Sequence, residues 1–348
     1  MNRLTGYLGT YASPQSLGIY RFTIGLDDGS LSLPQLYCHT PDCKYLSLEG
    51  TCLASSVKRG DQAGICLLDT AGDAAALTGE SFHERAAACY VTQDSGRLYT
   101  ANYHEGTVLV YMKTGLGPQL IRRIDIAPGA GCHQVLFHGP YMLVPCLLLD
   151  SVKIFDSRDD FSPAGELTFA KGTGPRHGIF DQSHSRLFLV SELSNQVFVY
   201  QTCSSSGPQP RACLKIHSRH LQLESVSPIP AHGQEHGQPP ASAALRLSPD
   251  ERFLYVSTRF TDIITVFAIH GCRLELIQQT SSGGIHPRDF ILTPEGDFLL
   301  AVNRTKGGLV CFRRDPGSGR ILELCSRVPA PEAVSIVLEP AVGRTAHI

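Results

Sequence analysis

Apolar and polar positions recur along this chain in one phrase. Its clearest copies are SAALRLSPDERFLYVSTRFTDIITVFAI over residues 242–269 and RDFILTPEGDFLLAVNRTKGGLVCF over residues 288–312. Each reads as an apolar run, a polar turn, a second apolar run, a polar corner and a third apolar run. A weaker apolar run follows each, at 274–276 and 321–324. The phrase predicts four short antiparallel strands per copy, one sheet of a repeat array.

Further copies cover residues 176–201, which matches best, 87–112, 132–155 with a shorter turn, and 44–68, the most worn. First strands are expected to start near Lys44, Ala87, Cys132, Arg176, Ser242, Arg288 and Ala333, about forty residues apart. The exception is the step from Arg176 to Ser242. It holds a Ser-, Pro-, His- and Gly-rich insertion at about 204–240, expected to be partly irregular and exposed. The last start, AVSIVL at Ala333–Leu338, has no room for a full sheet. The N-terminal segments 6–11, 18–24 and 30–36 read as strands two to four of a sheet lacking its first. Joining both termini in one sheet closes a ring and leaves no exposed edge at the seam. The expected fold is all-β: a seven-bladed β-propeller of four-stranded antiparallel blades, one domain over residues 1–348, closed by the N- and C-terminal segments.

Runs such as FLYVS and LFLVS are apolar at consecutive positions, as strands covered on both faces are. Blades sandwiched between neighbours fit that better than an ordinary β-sandwich. Helical periodicity of useful length is absent.

Composition narrows the partners. A net charge of −2 excludes general nucleic-acid affinity. No stretch of eighteen apolar residues predicts a membrane helix. The start, MNRLTGYLGTYASPQ, lacks the apolar centre of a signal peptide and reads as strand. The twelve cysteines include no CxxC and several sit inside apolar strands, which suits buried reduced thiols in a cytoplasmic protein. Cys132, beside His133, is read as a packing residue rather than a nucleophile. The expected assembly is a monomer or a weak homo-oligomer.

Strands one and two of a blade run antiparallel, so the start of the first and the end of the second share one edge. Strand one is innermost, and that edge rims the central channel. The opposite edge carries the bland turns QDSG, SPDE and TPEG. The rim carries the chemistry. Starts of strand one offer His133, Arg176, His177, His286 and Arg288; ends of strand two offer Tyr103, His104, Glu105, Asp150, Glu192, Arg259, Asn303 and Arg304. Folding does not require such clustered cations, because exposed pairs add little stability. The alternative is a set of solvated loop ends. His104 and Glu105 are expected at the solvent, and Asp150 is open between the two readings. His177, one residue past Arg176, is expected to point away from it and to serve as a structural hydrogen-bonder. His232-Gly-Gln-Glu235-His236 spells HxxEH, but the surrounding glycines and prolines argue against the helix that zinc chemistry needs. No metal or cofactor is expected.

At these residues the chain resembles the seven-bladed propeller lactonases, including cycloisomerase-type 6-phosphogluconolactonases and carboxy-cis,cis-muconate cyclases. The phrases that carry the resemblance are Gly131-Cys-His133, Gly174-Pro-Arg176-His177, Ser191-Glu192-Leu193-Ser194-Asn195, Ser257-Thr-Arg259 and His286-Pro-Arg288-Asp289-Phe290. They cover blades three to seven well and blades one and two loosely. The resemblance implies a site at the channel mouth with His133, Arg176, Glu192 and Arg259 as catalytic residues. Ser191 departs from the Asn that often precedes the glutamate.

The residue types suit lactone hydrolysis: a base for water (Glu192 or His133), donors for a tetrahedral oxyanion, and cations for an anionic substrate. Arg176 and Arg259 are read as bidentate anchors, with Arg288, His286 and Asn303 as further substrate-binding residues. The first functional expectation is hydrolysis of 6-phosphoglucono-1,5-lactone in the pentose phosphate route. A muconate-type lactonising isomerase and a non-catalytic propeller scaffold are the alternatives.

Overall fold

The computed structural model describes residues 2–94, 96–202, 221–230 and 237–340. Their strands form seven four-stranded antiparallel sheets in a ring. Blade 1 joins Ala333–Leu338 to Arg3–Thr10, Ile19–Gly25 and Gln35–Cys38. Blades 2 to 7 follow in chain order, with first strands Leu46–Glu49, Tyr90–Gln93, Leu136–His138, Pro175–Phe180, Ala241–Leu247 and Ile285–Leu292. These first strands pack against those of neighbouring blades and form the inner ring.

The apolar runs fold this way because both faces are covered. All seven residues of Phe253–Arg259 and all six of Tyr141–Cys146 are buried. The core is accordingly a set of layers between blades. Tyr255, Ile264 and Val266 of blade 6 meet Phe290, Leu299 and Val310 of blade 7 in one layer. Fourth strands face solvent on the outside and are correspondingly polar, as in Leu221–Pro228.

The bland turns are one device used repeatedly. In the SPDE turn Glu251 N–H donates to Ser248 O, Phe253 N–H donates to Ser248 Oγ, and Glu251 takes a left-handed φ of 56°. In TPEG the same bonds run from Gly296 and Phe298 to Thr293, and Gly296 takes φ 78°. Asp181 and His184 repeat it in blade 5. A side-chain acceptor at the first position and a left-handed fourth residue turn the chain.

Two expected boundaries are corrected. The fourth strand of blade 1 is Gln35–Cys38 rather than 30–36. Pro34 has no N–H for a ladder, and Ser30 O is already taken by Gly25 N–H in the preceding turn. The insertion is not one irregular stretch, because the fourth strand of blade 5, Leu221–Pro228, lies inside it. An outermost strand is wetted on one side, so its sequence lacked the apolar signal that marks the inner strands. The HxxEH segment, 232–236, lies outside the described residues.

The seam closes as the split repeat predicts. Ala333–Leu338 pairs antiparallel with the first N-terminal strand, Leu8 facing Ile336 and Gly6 facing Leu338. Both flanks pin it. Ser335 Oγ accepts a 3.1 Å bond from Leu46 N–H of blade 2. Asp289 of blade 7 accepts from Ile336 N–H at 3.3 Å and from Arg246 of blade 6 at 2.7 Å.

Ending the chain at Glu332 should therefore destabilise strongly. The cut removes buried Ala333, Val334 and Ile336 and opens two sheet edges. At about 1.5–3 kcal/mol per large apolar side chain, the melting temperature should fall by roughly 10 °C or more. Ser335→Ala should cost about 1–3 kcal/mol by leaving the Leu46 N–H unmet. Thermal melts of both variants check this; a truncated chain that melts within a few degrees of the parent would contradict the closure.

Candidate active site

Antiparallel register brings strand-one starts and strand-two ends to one edge: Pro175 faces Ser191, and Ala241 faces Arg259. Left-handed glycines lead into two of these starts. Gly131 (φ 72°) stands two residues before His133, and Gly174 (φ 62°) two before Arg176. A Cβ on Gly131 would lie 2.9 Å from Leu148 N, so the position needs glycine on both counts. First strands of blades 5, 6 and 7 carry bulges at Pro175/His177, Ser242/Leu245 and on both sides of Pro287. Bulges re-aim side chains, and these sit where the polar residues cluster.

The result is a cavity of about 200 Å³ on the ring axis, to which every blade contributes. Tyr11 comes from blade 1, Lys44 from blade 2, Cys89 and Tyr103 from blade 3, His133 from blade 4, Glu192 from blade 5, Arg259 from blade 6 and Arg288 from blade 7. One carboxylate stands among the cations. Glu192 Oε2 accepts from Arg176 Nε at 2.8 Å, and Arg259 Nη2 lies 2.8 Å from the same oxygen. Glu192 Oε1 has no protein hydrogen bond among the described residues. Arg176 is only 1% exposed and also donates to Ala243 O at 2.5 Å.

Burial and charge act on each group. Burial raises the Glu192 carboxyl, but Arg259, Arg176 and Arg288 outweigh it and keep it below the ordinary carboxylate range. Burial pushes Arg176 down to about 10 against the pull of Glu192. The imidazoles of His133 and His177 lie 3.1 Å apart, Nδ1 to Nε2. Burial, then the neighbouring arginines, drives both well below the ordinary histidine range, so both are neutral at neutral pH.

His133, Glu192, Arg259 and Arg288 line the cavity, while Arg176 stands behind Glu192. His286 and Asn303 are not among the cavity-lining residues. Asn303 is fully buried and spends its amide on Ser282, and His286 packs edge-on against Phe260 with Nε2 buried. Arg176 and Arg259 both stand on the Glu192 carboxylate, 2.8 Å from the same oxygen. The expectation that His177 points away from Arg176 is overturned. The bulge between Pro175 and His177 breaks the alternation, and Arg176 Nη1 lies 3.5 Å from the His177 ring. Asp150 is structural: it accepts from Gly172 N–H and Gly174 N–H, at 2.8 Å each. Glu105 likewise caps Arg85 N–H and Ala86 N–H. Cys132 is fully buried, its Sγ 4.0 Å from Cys146 Sγ, and its thiol is pushed far up. Among the described residues no cluster of three His, Cys, Asp or Glu could hold a metal ion. None of their helices is long and apolar enough to cross a membrane.

Sequence reasoning missed Tyr11, Lys44 and Cys89 as cavity residues. The signal was present. Tyr11 directly follows the second strand of blade 1 and Lys44 precedes the first of blade 2, at the rim edge where Arg259 and Arg288 stand in clearer copies.

The sequence model of the family described as "Lactonase, 7-bladed beta-propeller" matches residues 5–338, which takes in all seven blades. The chain belongs to this lactonase family. Its enzyme class is accordingly that of a lactonase, a hydrolase of cyclic carboxylic esters. It is 28% identical to the 6-phosphogluconolactonase of Bacillus subtilis (strain 168), over 97% of this chain and 98% of that one. Among solved structures, a Lactobacillus plantarum protein is 29% identical with a TM-score of 0.86, covering 97% of this chain and 99% of its own. The Pseudomonas aeruginosa periplasmic gluconolactonase PpgL shares the fold, with a TM-score of 0.84 at 23% identity and coverage of 98% and 100%.

Neutral buried histidines predict that stability falls in acid. Unfolded, His286 takes a proton near its ordinary 6.5; folded, burial and then Arg259, Arg288 and Arg304 push it down to about 3. Between those values the unfolded chain binds more protons, so stability falls as pH drops through that window. His133 and His177 act in the same sense. The melting temperature should fall steadily from neutral pH to about pH 5, and less steeply in His286→Asn. A melting series across that range checks the sign; a flat profile would mean that the imidazoles take up protons as readily in the fold as in the unfolded chain.

Proposed function

We propose that this lactonase hydrolyses a sugar-acid lactone, 6-phosphoglucono-1,5-lactone first among them, in the cavity at the channel mouth. His133, Arg176, Glu192 and Arg259 form its catalytic group. The observation that carries the reading is the division of labour on Glu192. Two arginines hold Oε2, and Oε1 remains for water. The kinship with the Bacillus subtilis 6-phosphogluconolactonase supports the choice of lactone. The pathway setting is the oxidative pentose phosphate route in the cytoplasm.

Glu192 Oε1 takes a proton from a water whose oxygen adds to the lactone carbonyl carbon. The carbonyl oxygen becomes an oxyanion, which Arg259 and the neutral His133 ring stabilise by charge and hydrogen bonding. Collapse re-forms the carbonyl and breaks the bond to the ring oxygen. That oxygen takes the proton back from Glu192, and the open-chain acid leaves. The arginines keep Glu192 ionised, which makes it a mild base suited to an ester that is already labile. Arg176 acts on Glu192, fixing its rotamer and charge from behind.

Glu192→Gln should lower turnover by about 10²–10⁴. The assay uses fresh 6-phosphogluconolactone with buffer-only hydrolysis subtracted, and a melt confirms folding of the variant. Turnover within threefold of the parent would move the base role to His133. A parent inactive on lactones but active on muconate in an ultraviolet assay would make the chain a lactonising isomerase instead.

A further inference from the structure

We propose that Lys44 and Arg288, set around the ring of Tyr11, form a subsite for a terminal phosphate monoester, distinct from the group that acts on the lactone. This rests on the reading of the cavity as a lactonase site and adds which part of it selects the substrate.

Lys44 Nζ lies 5.4 Å from the Tyr11 ring centroid, and Arg288 Cζ lies 5.6 Å from it. All three residues line the cavity, together with Glu192 and His133. The two cations differ from the others nearby in being uncommitted. Arg176 and Arg259 are ion-paired to Glu192, and Arg304, also over Tyr11 at 4.4 Å, is paired to Glu332 at 2.7 Å. Among the described residues Lys44 and Arg288 form no ion pair, and their side chains make no hydrogen bond. Asp42, two residues from Lys44, spends Oδ1 on Ala12 N–H.

Two like charges facing one small cavity repel each other, and folding alone offers no reason to place them there. The aromatic face explains how they are tolerated. It attracts cations through its quadrupole without neutralising them. A carboxylate in its place would hold the same side chains but would repel an anionic ligand. Tyr11 thus keeps both charges available to whatever enters.

The cation types indicate which anion. Arg288 offers a planar fork for two oxygens, and Lys44 offers a point charge. A phosphate monoester carries between one and two negative charges near neutral pH and presents three oxygens, which matches two cations. A carboxylate tail brings one charge and two oxygens and leaves one cation unmet. The field of Arg288 also reaches the catalytic group, since it helps to depress Glu192 and His133. Neutralising that field with a bound phosphate would raise the basicity of both groups only when a phosphorylated substrate is seated.

The test compares the parent with Lys44→Gln and Arg288→Gln on 6-phosphogluconolactone and on gluconolactone, each corrected for spontaneous hydrolysis. Each substitution should lower the ratio of kcat/KM for the phosphorylated over the unphosphorylated lactone by about tenfold, mainly through KM. An equal loss on both lactones, or an unchanged ratio, overturns the subsite. Calorimetric titration of 6-phosphogluconate and gluconate separates this outcome from failure of the functional reading. If the parent hydrolyses neither lactone but binds 6-phosphogluconate more tightly than gluconate, and Lys44→Gln abolishes the difference, the subsite stands and the reaction does not. A parent that hydrolyses both lactones yet binds the two acids equally retains the reaction and loses the subsite. Tighter binding of a dicarboxylate than of 6-phosphogluconate overturns the phosphate assignment. Melts of both variants confirm that they fold.

Discussion

Closure of the ring is the constraint on which this structure depends. Every blade delivers at least one side chain to the axis, and the cavity is bounded by all seven. The last strand, Ala333–Leu338, is therefore part of the site without lining it. It holds Tyr11 of blade 1 beside Lys44 of blade 2 and Arg288 of blade 7, residues far apart in the chain. Its own contacts reach three blades, through Leu8, Ser335 and the Asp289 carboxylate. A missing inner strand would unseat Tyr11 at the cavity and expose two sheet edges at once.

Electrostatics on the axis follow from burying more positive than negative charge. Among the described residues Glu192 is the one carboxylate in the cavity lining; burial raises it, but the arginines around it outweigh burial and hold it below the ordinary carboxylate range. Burial, and then Arg176 and Arg288, keep His133 and His177 uncharged, so the cavity combines an ionised acid with neutral imidazoles. Such a combination is costly to fold. Removing one partner of a buried pair typically costs about 3–5 kcal/mol, because the other charge is left unmet. Polar groups of this kind are tolerated because the layers between blades, which are largely apolar, carry the stability.

The two edges of the ring divide the work. The edge with the SPDE and TPEG turns uses short polar side chains to satisfy its own backbone, as Ser248 and Thr293 do. The other edge carries bulges, left-handed glycines and uncommitted charge. Bulges in the first strands of blades 5, 6 and 7 re-aim side chains at that edge.

The sequence by itself determined the architecture. A period of about forty residues, apolar runs buried on both faces and a repeat split between the termini allow little but a closed seven-bladed ring. It also determined which edge gathers the charged and imidazole side chains, because that follows from strand direction. His133, Glu192, Arg259 and Arg288 were readable on this basis in the clear repeats, and Tyr11 and Lys44 were obscured where the repeat is worn. Only the tertiary structure decided what each residue does there. Arg176 and Arg259 look alike as free anchors in sequence, but the axis brings both onto one carboxylate. His177 was assigned to the far face by strict alternation, and a single bulge returns it to His133. Asn303 occupies a rim position yet is turned to Ser282. Pairing across blades depends on angles and distances between elements about forty residues or more apart, and a local pattern does not encode them.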